Sequence, residues 1–302
     1  DIYLGFTAKP NIYGSLAAQS LGIPVINNIS GLGTVFGAMS TTLFGSLLSR
    51  LLRVLYWFAL SRSKKIFFQN KDDCREFIEK GVVKDHLTDL LPGSGVDLDR
   101  FTYTPITVNQ LSPKANNEKK KTRFLLISRM LWDKGIGEYV KAARFLTRRY
   151  PRSEFCMIGF LDFQNPEAIS EAQINQWIAE GIVQNLGVIN DVRSEIVKAD
   201  CVVLPSRFRE GTPRSLLEAA AMGRPIITTN SIGCRETVDD GVSGYLCIPS
   251  DSIDLSKKME RLIQLNDTQR YEMGRCGRKK METQFDEQIV VQKYLEVISR
   301  NL

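Results

Sequence analysis

Histidine is almost missing from this sequence: among 302 residues there is one, His86. The cysteines (Cys74, Cys156, Cys201, Cys234, Cys247 and Cys276) are scattered, and none forms a CxxC pair. A His/Cys zinc site has no ligand set to draw on, and a disulfide framework is out of place in a chain this long. Reduced thiols are the simpler reading. Acidic residues are absent from Ile2 through Lys71, a stretch that carries Lys9, Arg50, Arg53, Arg62, Lys64, Lys65 and Lys71. Such a basic face calls for an anionic partner: phosphates, a diphosphate-linked substrate, nucleic acid or an acidic membrane surface. No nucleic-acid motif and no aromatic-and-basic alternation occurs, so nucleic acid is set aside. The apolar run Val54–Leu60 falls far short of the ~20 residues that cross a bilayer. Asp1-Ile-Tyr-Leu opens directly into strand-like sequence, with no signal peptide before it, as expected of a chain that starts in mid-domain.

What is present is ordinary globular material, 43% hydrophobic and 25% charged with net charge +6. At ~100–200 residues per domain, two domains are expected. Strand-like runs alternate with helical ones. Ile2–Phe6, Pro24–Ile29, Lys65–Gln69 and Leu90–Pro92 read as strands, with helices at Asn11–Gln19 and Lys71–Glu79. The polar stretch Thr102–Lys121, holding Pro105 and Pro113, reads as a linker. A second series follows, with strands at Arg123–Ser128, Glu154–Ile158, Val183–Leu186, Cys201–Pro205, Pro225–Thr228 and Gly244–Ile248. Its helices are Lys134–Tyr150, Ile169–Glu180, Val192–Ala199 and Pro213–Met222, with helical tails at Asp254–Glu282 and Phe285–Arg300. Alternation of this kind means two parallel α/β sheets, whose ligands bind at the strands' carboxyl ends.

The sharpest motif runs from Pro205 to Pro225 and contains Glu210-Gly211-Thr212-Pro213-Arg214-Ser215-Leu216-Leu217-Glu218. It follows a buried strand and opens a helix, with Thr212 as the expected N-cap and Pro213 at the first helical position. Gly211 lets the backbone approach a ligand closely. The helix start offers N–H groups and positive dipole to an anion. Glu218 lies about 9 Å along the axis from the cap at ~1.5 Å per residue. Two carboxylates with a diphosphate-sized gap between them can hold the hydroxyl-rich ends of a nucleotide sugar, Glu218 on the ribose and Glu210 on the transferred sugar. A lone pair of glutamates at this spacing is ordinarily a solvated helix face; the strand–loop–helix context favours the ligand. In the second motif, Ser128-Arg129-Met130-Leu131-Trp132-Asp133-Lys134-Gly135, Arg129 and Lys134 follow a strand and enter a helix, where cations oppose the dipole. Two fixed cations there can neutralise a leaving diphosphate. Their plainer reading is surface charge.

On these residues the chain resembles the retaining glycosyltransferases of family 4, whose GT-B fold sets two Rossmann-like domains face to face. Gly93-Ser94-Gly95-Val96-Asp97 is similar to the family's segment before the linker, Gly187 with Val188 to its base-pocket strand, and Gly241 to Gly244 to a further family segment. The resemblance implies an incomplete acceptor-side domain over residues 1–110, with 285–302 packing back on it. It implies a nucleotide-sugar-binding domain over 119–284. The donor-binding set is then Gly211, Thr212, Pro213, Ser215, Leu216, Leu217, Glu218, Gly187 and Val188, with Glu210, Arg129 and Lys134 acting on the chemistry. Lys9-Pro10-Asn11-Ile12-Tyr13-Gly14 and Ile29–Phe36 resemble a narrower group that builds O-antigen, capsule and related glycans on undecaprenyl diphosphate. From it follow a UDP-sugar donor, a lipid-diphosphate-linked saccharide acceptor, hexosyl or N-acetylhexosaminyl transfer with retention, and no metal or other cofactor. Lys9, Gly31, Gly33 and Thr34 are assigned to the acceptor diphosphate, with turn glycines and a surface lysine as the plainer account. The cleft histidine of many members has no counterpart at Ser30-Gly31. The family's first strand and glycine-rich loop are missing, so the chain is expected to be a fragment with little activity alone.

Leu43–Leu60 reads as an apolar helix with a polar stripe of Ser46, Ser49, Arg50 and Arg53. Two readings stay open: a core helix under the first sheet, or an amphipathic helix lying in an anionic membrane interface. The second fits a cytoplasmic protein held peripherally on the inner face of a bacterial plasma membrane. The rival functions are a catalytically inactive nucleotide-sugar or glycan-binding module and a polymer-elongating transferase of the same fold.

Overall fold

The computed structural model describes residues 1–31, 43–106 and 121–301. Its strands are β1 (Tyr3–Phe6), β2 (Val25–Ile29), β3 (Lys65–Phe68), β4 (Thr88–Leu90), β5 (Arg123–Ile127), β6 (Glu154–Ile158), β7 (Gln184–Asn185), β8 (Cys201–Leu204), β9 (Ile226–Thr229) and β10 (Gly244–Cys247). Its α-helices are α1 (Ser15–Ser20), α2 (Leu43–Leu60), α3 (Lys71–Glu79), α4 (Ile136–Arg149), α5 (Glu171–Ala179), α6 (Arg193–Lys198), α7 (Arg214–Ala221), α8 (Ser252–Gln264), α9 (Asp267–Lys280) and α10 (Glu287–Ser299).

The chain divides into two compact units. The first gathers Asp1–Gly95, Phe208–Pro213 and Gln284–Leu302; the second gathers Val96–Arg207 and Arg214–Thr283. The boundary falls at Gly95 rather than at 110, and Tyr103 shows why. Gly223 has φ 76°, and a Cβ added there would come within 2.5 Å of the Tyr103 ring. Nearby, the Thr104 carbonyl accepts from Nη1 of the buried Arg224 at 2.7 Å. Most of the expected linker, residues 107–120, lies outside the described residues.

The first unit is a parallel sheet in the order β1-β2-β3-β4. A buried polar network centres on Asn27, midway along β2. Asn27 Nδ2 donates to Asn11 Oδ1 at 3.0 Å and to Ser15 Oγ at 2.7 Å, and Ser63 Oγ donates to Asn27 Oδ1 at 2.6 Å. Helix α10 returns to this unit: Tyr294 meets Phe67 edge-on at 4.9 Å, and Lys293 Nζ donates to the Leu90 carbonyl at 2.7 Å. Helix α2 buries one face and exposes the other. Tyr56, Ala59 and Leu60 are buried in a core with Ile66, Phe68 and Phe77, whereas Leu51, Val54, Trp57 and Phe58 are exposed. The side chains of Ser46 and Ser49 lie outside the described residues. Among the described residues, no helix is long and apolar enough to cross a membrane.

The second unit is a six-stranded parallel sheet, β10-β9-β8-β5-β6-β7. Two sequence expectations fail here for local reasons. The helix expected over Lys134–Tyr150 is interrupted by Gly135, whose φ of 73° ends a 3-10 turn at Trp132–Lys134 before α4 begins. The helix expected over Asp254–Glu282 is two, because Asn266 and Gln269 form a capping box that starts α9 afresh. Arg270, 4% exposed, donates to the carbonyls of Leu262 and Ile263 at the end of α8 and to Thr122 Oγ1, and so locks that junction against the sheet.

Candidate functional site

In the second unit the strand order reverses between β5 and β8, since the chain leaves β5 for β6 on one side and later enters β8 on the other. A crevice outside the carboxyl ends of these strands is where such sheets hold ligands. The loops after the two strands are knitted together. Arg207 N–H donates to the Asp133 carbonyl at 3.0 Å, and Ser206 Oγ donates to it at 3.3 Å. A Cβ at Gly135 would collide with the Pro205 carbonyl, so only glycine lets these loops meet.

Arg129 leaves β5 at this crevice, exposed, with Nη1 bonded to Asp162 Oδ2 at 3.1 Å. No local pattern marked Asp162 as its partner. Lys134 is half-buried and ends the 3-10 turn; it does not start a helix. After β7, Gly187 has φ 72° and its carbonyl accepts from Gly159 N–H at 2.9 Å, while Val188 is exposed. In α7, Glu218 is half-buried with Arg214 Nη2 3.5 Å from Oε1. Burial raises the Glu218 pKa above its ordinary 4.5, and Arg214 and Arg100 pull against that rise. Ser215 is half-buried, whereas the side chains of Leu216 and Leu217 are wholly buried. What Leu216 and Leu217 can offer a donor is main-chain N–H of the first helical turn.

The remaining motif residues belong with the first unit. Glu210 and Gly211 are half-buried there, as is Pro213. Thr212 is not the N-cap expected of it: α7 begins at Arg214, and the Thr212 hydroxyl is buried with no hydrogen-bond partner. Its side chain is instead packed beside Gly93, where a Cβ would lie 2.6 Å from Thr212 Cβ. Gly31, with φ 130°, is brought against Gly211: a Cβ on Gly31 would lie 3.1 Å from Gly211 N. Lys9 is exposed at the start of a π-helical turn, Pro10–Gly14. Gly33 and Thr34 lie outside the described residues. Sequence reasoning missed Arg209, Gln69 and Asp73. Arg209 stood next to a motif glutamate, but its partner Asp73 is far away in the chain, within the helix expected over Lys71–Glu79.

Two parallel-sheet α/β units, one with a reversal of strand order ahead of α7, are consistent with the GT-B fold. Solved structures carry the same fold. The chain superposes on Anabaena Alr3699/HepE, crystallised with UDP-glucose, with a TM-score of 0.77 at 22% identity, covering 98% of this chain and 78% of that one. Sucrose-phosphate synthase from Thermosynechococcus elongatus gives the same score at 18% identity, with 98% and 73% covered. The sequence profile described as "Glycosyl transferases group 1" matches residues 108–280, and the chain belongs to that family.

Among its relatives is the N,N'-diacetylbacillosaminyl-diphospho-undecaprenol alpha-1,3-N-acetylgalactosaminyltransferase of Campylobacter jejuni. It is 28% identical over 295 residues, covering 97% of this chain and 75% of the relative. The UDP-Gal:alpha-D-GlcNAc-diphosphoundecaprenol alpha-1,3-galactosyltransferase of Escherichia coli is 24% identical, with 88% and 66% covered. The capsular polysaccharide transferase CapM of Staphylococcus aureus is 29% identical, and the chain spans 50% of its length.

Proposed function

We propose that the chain moves an N-acetylhexosamine or hexose from a UDP-sugar to a polyprenyl-diphosphate-linked saccharide, with retention of configuration. The likeness along 97% of the chain to a transferase named for a diphospho-undecaprenol acceptor supports the choice of acceptor. The observation that carries the donor is Glu218, a half-buried carboxylate in α7 beside Arg214. A carboxylate there accepts from vicinal ribose hydroxyls, and the α7 N–H groups face phosphate. Arg129 can exchange Asp162 for the diphosphate, and with Lys134 it offsets the charge that grows on the leaving UDP. Glu210 meets the transferred sugar. The acceptor hydroxyl attacks C1 on the face the diphosphate leaves. The C1–O bond to the β-phosphate breaks as the new C1–O bond forms, and the hydroxyl proton passes to the departing phosphate oxygen beside it.

The acceptor would reach the enzyme at an anionic membrane. The exposed face of α2, with Leu51, Val54, Trp57 and Phe58 beside Arg50, Arg62 and Lys64, supports peripheral binding there. A groove of about 420 Å³ between α1 and α2, lined by Leu16, Trp57, Phe58 and Arg62, continues the same surface.

UDP release from a panel of UDP-sugars, with a polyprenyl-diphosphate-linked saccharide as acceptor, tests the reaction. Acceptor-dependent release with one donor is expected. UDP binding without release from any donor would favour a binding module instead.

A further inference from the structure

Phe208–Pro213 is held within the first unit on both sides of Glu210. On the N-terminal side, Arg209 Nε donates to Asp73 Oδ1 at 2.6 Å, and its Nη2 lies 2.5 Å from the same oxygen. Arg209 Nη1 lies 2.6 Å from Glu76 Oε2. Asp73 is fully buried, and its other oxygen accepts from Asn70 Nδ2 at 3.0 Å. Asn70 is itself the N-cap of α3, accepting from Asp73 N–H at 2.7 Å. Acid, cap and guanidinium therefore form one rigid seat, and a planar fork serves it better than a flexible ammonium.

On the C-terminal side Gly211 is pressed so closely to the Ser30 carbonyl and Gln69 that a Cβ would collide with both. Thr212 N–H donates to Gln69 Oε1 at 3.3 Å, and its side chain packs beside Gly93. Ser30 follows β2, Gln69 follows β3 and Gly93 follows β4. The segment thus lies across the carboxyl ends of three adjacent parallel strands.

We infer that Arg209 is a positioning residue for Glu210, fixing its carboxylate through the ion pairs to Asp73 and Glu76 while Gly211 seats the other side. The inference rests on the reading of Glu210 as the group that meets the transferred sugar. The Arg209 guanidinium keeps its charge, while burial pushes the Asp73 carboxyl above its ordinary value against the pull of Asn70 and Arg209. Burial alone would lower the Arg209 pKa, but the Asp73 and Glu76 carboxylates carry it above its ordinary value. Burial pushes Glu76 up, but the hydrogen bonds and charges of Lys80 and Arg209 bring it below its ordinary value.

The test uses the full chain with four variants: Arg209→Gln, Arg209→Lys, Glu210→Ala and the double Arg209→Gln/Glu210→Ala. Arg209→Gln should lower kcat about 10- to 100-fold, as small misplacements of a reacting group do, with UDP affinity unchanged. Arg209→Lys should recover part of the loss. The double variant should be no slower than Glu210→Ala alone, since a residue acting through another adds nothing once that one is gone. Because Arg209→Gln strands the buried Asp73, a companion Asp73→Asn/Arg209→Gln variant removes both charges together. It should fold, with the same kcat loss. Full kcat in the folded companion, or losses that multiply in the double variant, would overturn the inference while leaving the Glu210 reading intact. Full kcat in Glu210→Ala would overturn both.

Discussion

The hydroxyl of Tyr294 accepts a hydrogen bond of 2.7 Å from Asn28 Nδ2, joining the last helix to the end of β2. Asn28 is 3% exposed, and its Oδ1 is buried without a hydrogen-bond partner. Tyr294→Phe leaves that amide with neither end satisfied. It should lower unfolding stability by about 1–3 kcal/mol, read by urea denaturation. Its m-value should not change, since the same surface is exposed on unfolding.

On the proposed role of Glu218, donor binding should have an acid limit. Its pKa stands above 4.5 because burial disfavours the charge, so the carboxylate proposed to accept from ribose hydroxyls should be lost at a higher pH than that of a solvated glutamate. UDP affinity should fall as pH drops through that raised value and hold above it. The free protein should show the opposite sign: ionising a buried acid opposes folding, so this group's contribution to stability should decline as pH rises through the same value. Arg214→Ala removes a cation that pulls the pKa down, and the acid limb should move to higher pH in a titration of UDP Kd. Glu218→Ala should weaken UDP about 10- to 100-fold and flatten the limb, as expected for hydrogen bonds to a charged group.

Gly211→Ala should be far more damaging than its size implies. The added carbon meets the Ser30 carbonyl and Gln69, both in the first unit, so the segment must lift from the strand ends. Transfer should fall at least about 10-fold in kcat, while UDP binding, measured by calorimetry, stays near wild type. Wild-type kcat in Gly211→Ala would show that the seat tolerates displacement.

Arg224 is 2% exposed and donates to three carbonyls, those of Ile196, Val197 and Thr104. Burial pulls its pKa down to about 10. Arg224→Met keeps the length and strands the carbonyls, and it should cost about 2–4 kcal/mol in chemical denaturation.

Trp57 and Phe58 are the aromatic part of the exposed α2 face. Trp57→Ser/Phe58→Ser should reduce co-flotation with vesicles containing phosphatidylglycerol and leave UDP binding intact. Neutralising Arg50, Arg53, Lys64 and Lys65 should weaken the same binding by roughly 1 kcal/mol per charge that reaches the surface. Unchanged flotation in both variants would remove α2 from the membrane.

Alternating apolar runs announced most of the sheet architecture. Helices α2 and α3 and strand β6 fall where their patterns place them, since each has a clear period and a clear stop. The errors came from contacts that no local pattern records. Gly135 breaks an otherwise helical run because Pro205, far along the chain, leaves no room for a Cβ. Thr212 has the chemistry of a cap, but tertiary packing beside Gly93 claims its side chain first. The break at Asn266 was visible, for Asn followed three residues later by Gln is a helix-start signature. At the candidate site, Glu210 and Glu218 were singled out by the strand–loop–helix context around them rather than by their spacing. Arg209 was not, because its meaning resides in Asp73 and Glu76, on a helix from the opposite half of the sequence.

That arrangement restricts recombination among cousins of this protein. Phe208–Pro213 groups with the first unit while Arg207 and Arg214 group with the second. A chimaera spliced at residue 96 would graft a foreign hexapeptide onto Gln69, Asp73 and Gly93. Natural shuffling of sugar preference should therefore transmit these positions as a linked set, and an engineer swapping halves would have to transplant the hexapeptide with the front piece.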